Sequence, residues 1–227
     1  MVTDFDNDGF RDVMITNGYP RDITDHDFTS FRQQSGAIAS KQFILDQIPK
    51  VKLHNYIFHN NGNLTFTDVS GSWGLMTPSF SNGAAYADLD NDGDMDMIVN
   101  NINDEASIYE NTSMDSKENH PNYIAVKLDG DSSNLNGLGA WVELHYGGKQ
   151  QAYEQSPYRG YLSTMQIEPH FGLGNVSNVD SLIIKWPNGK EQILLNVKAN
   201  QTIVVNKKNA HSSYSIVKKE LIKEAVL

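Results

Sequence analysis

Two nine-residue segments of this chain, residues 4–12 and 88–96, carry almost the same pattern, and we call them loop 1 and loop 2. Each has aspartate at its first, third, fifth and ninth positions and glycine at its sixth. Side chains at alternate positions of a tight loop can all turn toward one centre, which suits Ca²⁺ with its about six to eight oxygen ligands. The glycine supplies a backbone conformation with positive φ. Without an ion, at least four like charges would be crowded into one turn. The pattern therefore predicts a cation in each loop and a fold whose stability depends on it.

A single acidic turn of this kind could be a solvated surface loop, so the prediction rests on the repetition of the pattern. The segments are not EF-hands, because the twelfth position, where an EF-hand has a bidentate glutamate, holds Ile15 in one and Val99 in the other. Residues 13–16 and 97–100 follow the two loops and are rich in β-branched and long apolar side chains. We therefore interpret both segments as cation loops at the starts of β-strands.

The excess of acidic over basic residues is confined to the first half of the chain. Residues 1–112 hold 17 acidic against 6 basic residues, whereas residues 113–227 hold 11 against 12, and together they give the net charge of −10. Such an acidic field repels phosphates, so nucleic-acid binding is not expected. No apolar run approaches about eighteen residues, so no membrane span is expected. The absence of cysteine excludes disulfides and thiolate metal sites.

The chain begins immediately before loop 1, where a strand should enter. No signal peptide precedes Asp4. We therefore expect a fragment of a longer protein, cut inside a repeat, for which the missing signal says nothing about export.

An insertion with helical texture follows loop 1. Within residues 22–53, apolar side chains recur at loosely helical spacing, and Pro49 would end a helix. This spacing predicts two short helices, at about residues 25–35 and 39–48, in an excursion from a β-rich body.

The rest of the chain is rich in strand signals. Residues 54–112 hold four or five short strand candidates between turns, which is typical of one β-propeller blade. Residues 113–120 are polar and indicate a linker. Residues 121–207 hold longer strand candidates and predict a β-sandwich or small barrel, and residues 208–227 indicate a tail or linker that could form a short helix. The predicted fold class is all-β: a partial propeller of about one blade and part of another, joined to a sandwich or barrel-like domain.

The first half resembles the VCBS / FG-GAP repeat, the blade of integrin-like propellers. The resemblance rests on residues 56–62, 66–69 and 83–96, in which strand, turn and acidic loop follow in order. It implies Ca²⁺ in each loop, with side-chain ligands in loop 1 from Asp4, Asp6, Asp8 and Asp12, and in loop 2 from Asp88, Asp90, Asp92 and Asp96. It also implies a carbonyl ligand at the seventh position, which is Phe10 in loop 1 and Asp94 in loop 2. A complete propeller would need further blades, which we expect from the rest of the parent protein.

The second half resembles the ASPIC/UnbV domain, which follows such propellers in cartilage-acidic-protein-like sequences. The matching motifs are residues 134–140, 160–163, 170–174 and 184–189. This resemblance implies a fold and a context more than an activity.

Candidates for catalysis are weak beside their structural alternatives. His170 could be a ligand or base, but a hydrogen-bonded turn histidine is the simpler interpretation. No spacing pairs Glu154, Glu168 or Asp180 as a glycosidase would require. Aromatic side chains of this half could form a sugar platform or pack a sandwich core, and the second interpretation is favoured.

The sequence therefore predicts a non-catalytic, Ca²⁺-binding recognition module of a secreted or cell-surface protein, with a glycan or an extracellular protein as partner. One alternative is an accessory part of a polysaccharide-active enzyme whose catalytic site lies outside this chain. Another is a Ca²⁺-dependent adhesion unit.

Overall fold

The structure is a computed structural model that describes residues 1–36, 38–116, 120–160 and 162–215. The described residues form two compact units. The first unit comprises Met1–Tyr123, Pro157–Gln166 and Gly172–Asn175. The second unit comprises Ile124–Ser156, Ile167–Phe171 and the described residues from Val176 onward. Strands in several open sheets dominate both units, which confirms the all-β prediction.

The first sheet of the first unit is a four-stranded antiparallel meander, the form of a propeller blade. Its strands lie in the order in which they occur along the chain. They are β1 (Val2–Thr3), β2 (Asp12–Ile15), β3 (Tyr56–Asn60) and β4 (Phe66–Asp68). Loop 1 joins β1 to β2, so the ninth residue of the loop is also the first residue of an inner strand.

The second sheet has three strands in the order β5-β6-β7. They are β5 (Ser81–Ala87), β6 (Asp96–Asn101) and β7 (Ser107–Tyr109). Loop 2 joins β5 to β6 as loop 1 joins β1 to β2. One complete blade and part of a second are therefore present, as predicted.

The assignment of residues 54–112 to a single blade is wrong. Strand β3 pairs with β2, with Val13 opposite Phe58, and it therefore completes the blade that begins before loop 1. The insertion of residues 22–53 separates these partner strands along the chain, which made β3 look like the start of a new repeat.

The insertion contains two short helices, as predicted. Helix α1 spans His26–Ser35 and begins at Asp25, whose side chain accepts a hydrogen bond from the backbone N–H of Phe28 at 2.8 Å. Helix α2 spans Lys41–Asp46 and begins at Ser40, which caps it in the same way. It ends two residues before the predicted boundary.

The core of the first unit receives one apolar side chain from each loop. Phe5, at the second position of loop 1, and Met95, at the eighth position of loop 2, are both buried. The buried core consists of Phe5, Met14, Ile57, Leu75, Tyr86, Met95, Met97, Val99 and Met165. The loops are thus fastened to the blade core at different positions.

The second unit contains a five-stranded antiparallel sheet in the order β10-β9-β12-β13-β15. Its strands are β9 (Trp141–Tyr146), β10 (Lys149–Glu154), β12 (Asn178–Lys185), β13 (Lys190–Lys198) and β15 (Ser212–Ser213). A further sheet has the order β11-β8-β14, from β8 (Asn122–Asp129), β11 (His170–Gly174) and β14 (Gln201–Asn206), and a short 3₁₀ turn follows at Lys207–Asn209. Strands β8 and β14 run parallel.

Buried side chains of the second unit come from both of these sheets, as expected for a sandwich. Trp186 is fully buried and Tyr153 nearly so, which fits core packing for these two rings rather than a sugar platform. The short helix suggested near the C-terminus falls on residues 216–227, outside the described residues. No described helix combines the length and apolar character needed to cross a membrane.

Candidate metal centre

The two loops share one backbone frame. In each, the fourth residue and the sixth residue adopt positive φ: Asn7 (56°) and Gly9 (96°) in loop 1, Asn91 (63°) and Gly93 (101°) in loop 2. The glycine conformation was predicted. The asparagine conformation was not, although asparagine is the non-glycine residue that tolerates this region best.

The first, third and fifth carboxylates of each loop converge. One side-chain oxygen from each of Asp4, Asp6 and Asp8 lies within 4.8 Å of the other two. Asp88, Asp90 and Asp92 form the same arrangement in loop 2. Ligands bound at about 2.3–2.6 Å to one Ca²⁺ lie no more than about 5 Å apart. Both triads can therefore hold one ion each.

Backbone N–H groups hold these carboxylates in place. The first residue bridges the turn, because Asp4 Oδ2 accepts from Gly9 N at 2.8 Å and Asp88 Oδ2 accepts from Gly93 N at 3.2 Å. Asp88 Oδ1 is shielded from solvent and accepts no hydrogen bond from any described residue. A buried carboxylate oxygen without a donor is costly, and a cation would satisfy it.

The ninth carboxylate has a different task in both loops. Asp12 accepts from Phe5 N at 3.0 Å and from Asn60 N at 2.9 Å. Asp96 accepts from Leu89 N at 2.9 Å and from Asn111 N at 2.8 Å. Each therefore ties the second residue of its loop to the third strand of its sheet, at the last residue of β3 for Asp12 and two residues after the end of β7 for Asp96. Asp12 and Asp96 lie outside the two triads, and their role as cation ligands stays a prediction.

The seventh position differs between the loops. Phe10 is 36% exposed, whereas Asp94 is 1% exposed and accepts hydrogen bonds at Oδ2 from Ser113 Oγ (3.0 Å) and Met114 N (3.1 Å). The backbone carbonyls of these residues stay predicted ligands. The side chain of Asp94 has a second role that the sequence did not indicate, since it fastens the segment after β7 to loop 2.

Burial makes these loops electrostatically unfavourable without a counter-ion. Burial first, and then neighbouring carboxylates, raise the pKa of Asp4 well above its usual range and raise the pKa of Asp88 and Asp92 as well. The same causes raise the pKa of Asp12 to about 6 and that of Asp94 to about 7. A divalent cation would offset this cost, and the all-oxygen triads suit a hard one such as Ca²⁺.

At the loops, two hydrogen bonds join the first sheet to the second, one between the loops and one from the segment after β7 to loop 1. Asn7 Nδ2 donates to the carbonyl of Gly93 at 2.9 Å. Asn111 Nδ2 donates to the carbonyl of Phe5 at 2.6 Å. Ordering one loop therefore bears directly on the position of the other.

A histidine stands beside loop 1 that sequence reasoning missed. His59 Nδ1 lies 3.3 Å from Asp6 Oδ2 and 3.3 Å from Asp12 Oδ1. Its ring also packs at a tilt against Trp73, with the ring centroids 6.2 Å apart. The only signal in the sequence was that His59 directly precedes Asn60, and the N–H of Asn60 donates a hydrogen bond to Asp12.

A cavity of about 660 Å³ opens beside loop 1. Aromatic rings and polar groups share its wall, which is the usual mixture in ligand sites. Its lining includes Phe5, Asp6, Trp73, Tyr109, Asn111 and Ser113.

The candidates of the second half do not assemble into a comparable site. His170 is the first residue of β11 and is half-buried, and desolvation of its ring lowers its pKa to about 4, which suits a structural ring. Asp180 accepts from the backbone N–H of Gly147 at 3.1 Å. Every metal-competent cluster among the described residues lies in the first unit.

Comparisons with known proteins match the two halves of the chain to two different families. Residues 4–99 match the family described as FG-GAP-like repeat, and residues 130–212 match the family described as ASPIC and UnbV. The mouse protein cartilage acidic protein 1 (Mus musculus) is 39% identical over 56 residues, which is 24% of this chain and 9% of the mouse protein. The chain thus spans a small part of that relative's length. The two predicted resemblances, in their predicted order, are confirmed.

Proposed function

We propose that this chain, an FG-GAP-like region followed by an ASPIC and UnbV region, is a non-catalytic Ca²⁺-binding recognition module of an extracellular protein. The observation that carries the proposal is the repeated triad: three carboxylates converge in each loop, and Asp88 Oδ1 is buried without a donor. Bound Ca²⁺ would neutralise the clustered charge of each triad. The ordered loops would then hold the first two strands of each sheet together.

The extracellular setting is supported by the two families that the chain matches and by the mouse relative. FG-GAP-like and ASPIC and UnbV regions occur in extracellular-type recognition modules. The mouse relative is named for cartilage and for acidity, and the first half of this chain is acidic as well. Free Ca²⁺ outside cells reaches the range in which weak, partly exposed loops of this kind would be filled.

The cavity beside loop 1 is our candidate for the recognition surface. It brings Trp73 and Tyr109 together with the amide of Asn111. Flat rings beside hydrogen-bonding groups suit either a sugar face or a side chain of a protein partner. Because Asp6 also lines this cavity, cation binding and partner binding would be coupled.

Calorimetry and thermal melts test the ion. We expect Ca²⁺ uptake by wild-type protein and a lower melting temperature in EDTA. Asp90→Asn with Asp92→Asn should abolish uptake at loop 2 and reduce the EDTA effect. Asp27→Asn with Glu105→Gln removes the same charge from exposed positions and should behave as wild type. Absence of Ca²⁺ uptake together with an unchanged melting temperature in EDTA would refute the proposal.

A glycan array and a panel of secreted proteins, each probed in Ca²⁺ and in EDTA, test recognition. Trp73→Ala should abolish a Ca²⁺-dependent signal, whereas Trp141→Ala, an exposed tryptophan outside the cavity, should retain it. Circular dichroism checks the folding of both variants. Turnover of an arrayed polysaccharide would favour the enzyme alternative instead.

A further inference from the structure

Loop 1 presents a second, chemically different cluster beside its carboxylate triad. Asp6, Asp12 and His59 each place one ligand atom within 4.8 Å of the other two. The cluster combines two carboxylates of the loop with an imidazole from β3, so it forms only when β3 pairs with β2.

The histidine nitrogen is placed as a ligand would be. His59 Nδ1 is shielded from solvent and makes no hydrogen bond of normal geometry with the described residues, yet two carboxylate oxygens lie 3.3 Å away. Its side chain is 24% exposed, so the ring reaches the surface while Nδ1 faces inward.

The carboxylate of Asp12 is already oriented. Its side chain is fully buried, and the N–H groups of Phe5 and Asn60 fix both oxygens. Metal-binding carboxylates are usually held by such outer hydrogen bonds, which set their direction before the metal arrives.

The carboxylate of Asp6 can serve both clusters. Its Oδ1 accepts from the N–H of Asp8, a member of the triad, at 3.4 Å, whereas its Oδ2 lies 3.3 Å from His59 Nδ1. A carboxylate has two oxygens and about four lone-pair sites, so it can bridge two ions.

Loop 2 supplies the internal comparison. Asn111, whose N–H donates to Asp96 as that of Asn60 donates to Asp12, is preceded by Glu110, whereas Asn60 is preceded by His59. Among the described residues, loop 2 forms a carboxylate triad but no cluster with a nitrogen donor. The two loops should therefore differ in the kind of metal they accept.

We propose that Asp6, Asp12 and His59 form a Zn²⁺ site of loop 1 that shares Asp6 with the Ca²⁺ triad and takes Asp12 out of the Ca²⁺ ligand set predicted for this loop. Imidazole nitrogen with carboxylate oxygens is a donor set that zinc accepts in proteins, and water completes its four-coordinate shell. Nitrogen ligation also favours first-row transition metals over Ca²⁺. The proposal does not depend on Ca²⁺ binding at loop 2.

The test is Zn²⁺ titration by calorimetry with Ca²⁺ already saturating, with Co²⁺ as a spectroscopic probe. His59→Gln should weaken Zn²⁺ binding by at least about tenfold, since even loss of an outer partner commonly costs that much. His54→Gln is the matched control, because His54 is a partly buried histidine of the same unit outside the cluster. It should bind Zn²⁺ as wild type does. Circular dichroism and Ca²⁺ uptake at loop 2 establish that both variants fold.

A second measurement needs no variant. In wild-type protein, long-range ¹H–¹⁵N spectra should show Zn²⁺ shifting Nδ1 of His59, with the ring otherwise intact. Equal Zn²⁺ affinity in wild type and His59→Gln, or ring signals that ignore Zn²⁺, would reduce the cluster to an ion pair and overturn the proposal. Loss of Ca²⁺ binding alone would instead count against the recognition module and leave this site standing.

Discussion

Loops 1 and 2 have the same backbone frame and different surroundings. Loop 1 buries its second residue, Phe5 (2% exposed), whereas the second residue of loop 2, Leu89, is 52% exposed. Loop 2 instead buries its eighth residue, Met95, where loop 1 has the exposed Arg11. What the loops share are the carboxylate-to-backbone hydrogen bonds of their first and ninth residues. These bonds therefore build the loop, whereas the buried apolar residue can stand at either its second or its eighth position.

The largest expected difference between the loops comes from truncating the second residue of each one. Phe5→Ala should cost about 3–5 kcal/mol of unfolding free energy, because it leaves a cavity in a packed core. Leu89→Ala, at the equivalent position, should stay within about 0.5 kcal/mol. Urea unfolding of both variants in Ca²⁺ measures the difference. Equal costs would mean that the second position has the same role in both loops.

The ninth and third positions should separate a structural aspartate from a cation-binding one. Asp96→Ala removes the acceptor of two backbone N–H groups and should cost about 2 kcal/mol, roughly one per hydrogen bond, even in EDTA. Asp90→Ala removes a crowded charge and one long, exposed hydrogen bond from Asp92 N (3.3 Å). It should leave stability in EDTA unchanged or slightly raised and should reduce the gain on adding Ca²⁺. If Asp96→Ala destabilises only the Ca²⁺-bound protein, the ninth residue acts mainly through the ion.

The acidity of the loops gives a pH test that compares them. In the folded protein the pKa of Asp12 is about 6 and that of Asp94 is about 7, both above the usual value of 3.8. Between the usual and the raised pKa values, the folded protein therefore binds more protons than the unfolded chain does. In EDTA, stability should therefore fall as pH rises from about 4 to 7. Asp94→Asn should remove the loss at the upper end of this window and leave the loss due to Asp12. Melting temperatures from pH 4 to about 8 measure it, and saturating Ca²⁺ should flatten the curve. A curve in EDTA that rises with pH would contradict the raised pKa values.

The part of the site that the sequence could predict is the part built from neighbours along the chain. Alternate positions of one turn bring Asp88, Asp90 and Asp92 together whatever the rest of the chain does. The sequence could not predict the long-range contacts of the site, because these depend on which strands pair. The bond from Asn60 to Asp12 spans 48 positions and crosses the helical insertion. For the same reason the blade boundary was misplaced, and His59 was not recognised as a neighbour of the loop.

The smallest expected effect on stability comes from Glu110→His, which tests whether the two loops orient their carboxylates alike. If both loops present their third and ninth carboxylates alike, Glu110→His should give loop 2 the imidazole that loop 1 has in His59. Glu110 is exposed, so the change should stay within about 0.5 kcal/mol of wild-type stability. The variant should nevertheless gain Zn²⁺ binding, measured by calorimetry in the His59→Gln background so that only the new site contributes. Glu110→Gln in the same background is the control and should gain nothing. Failure of the histidine to add a Zn²⁺ site would show that the third and ninth carboxylates of loop 2 do not face position 110 as those of loop 1 face His59, and that the two frames agree only in their backbone.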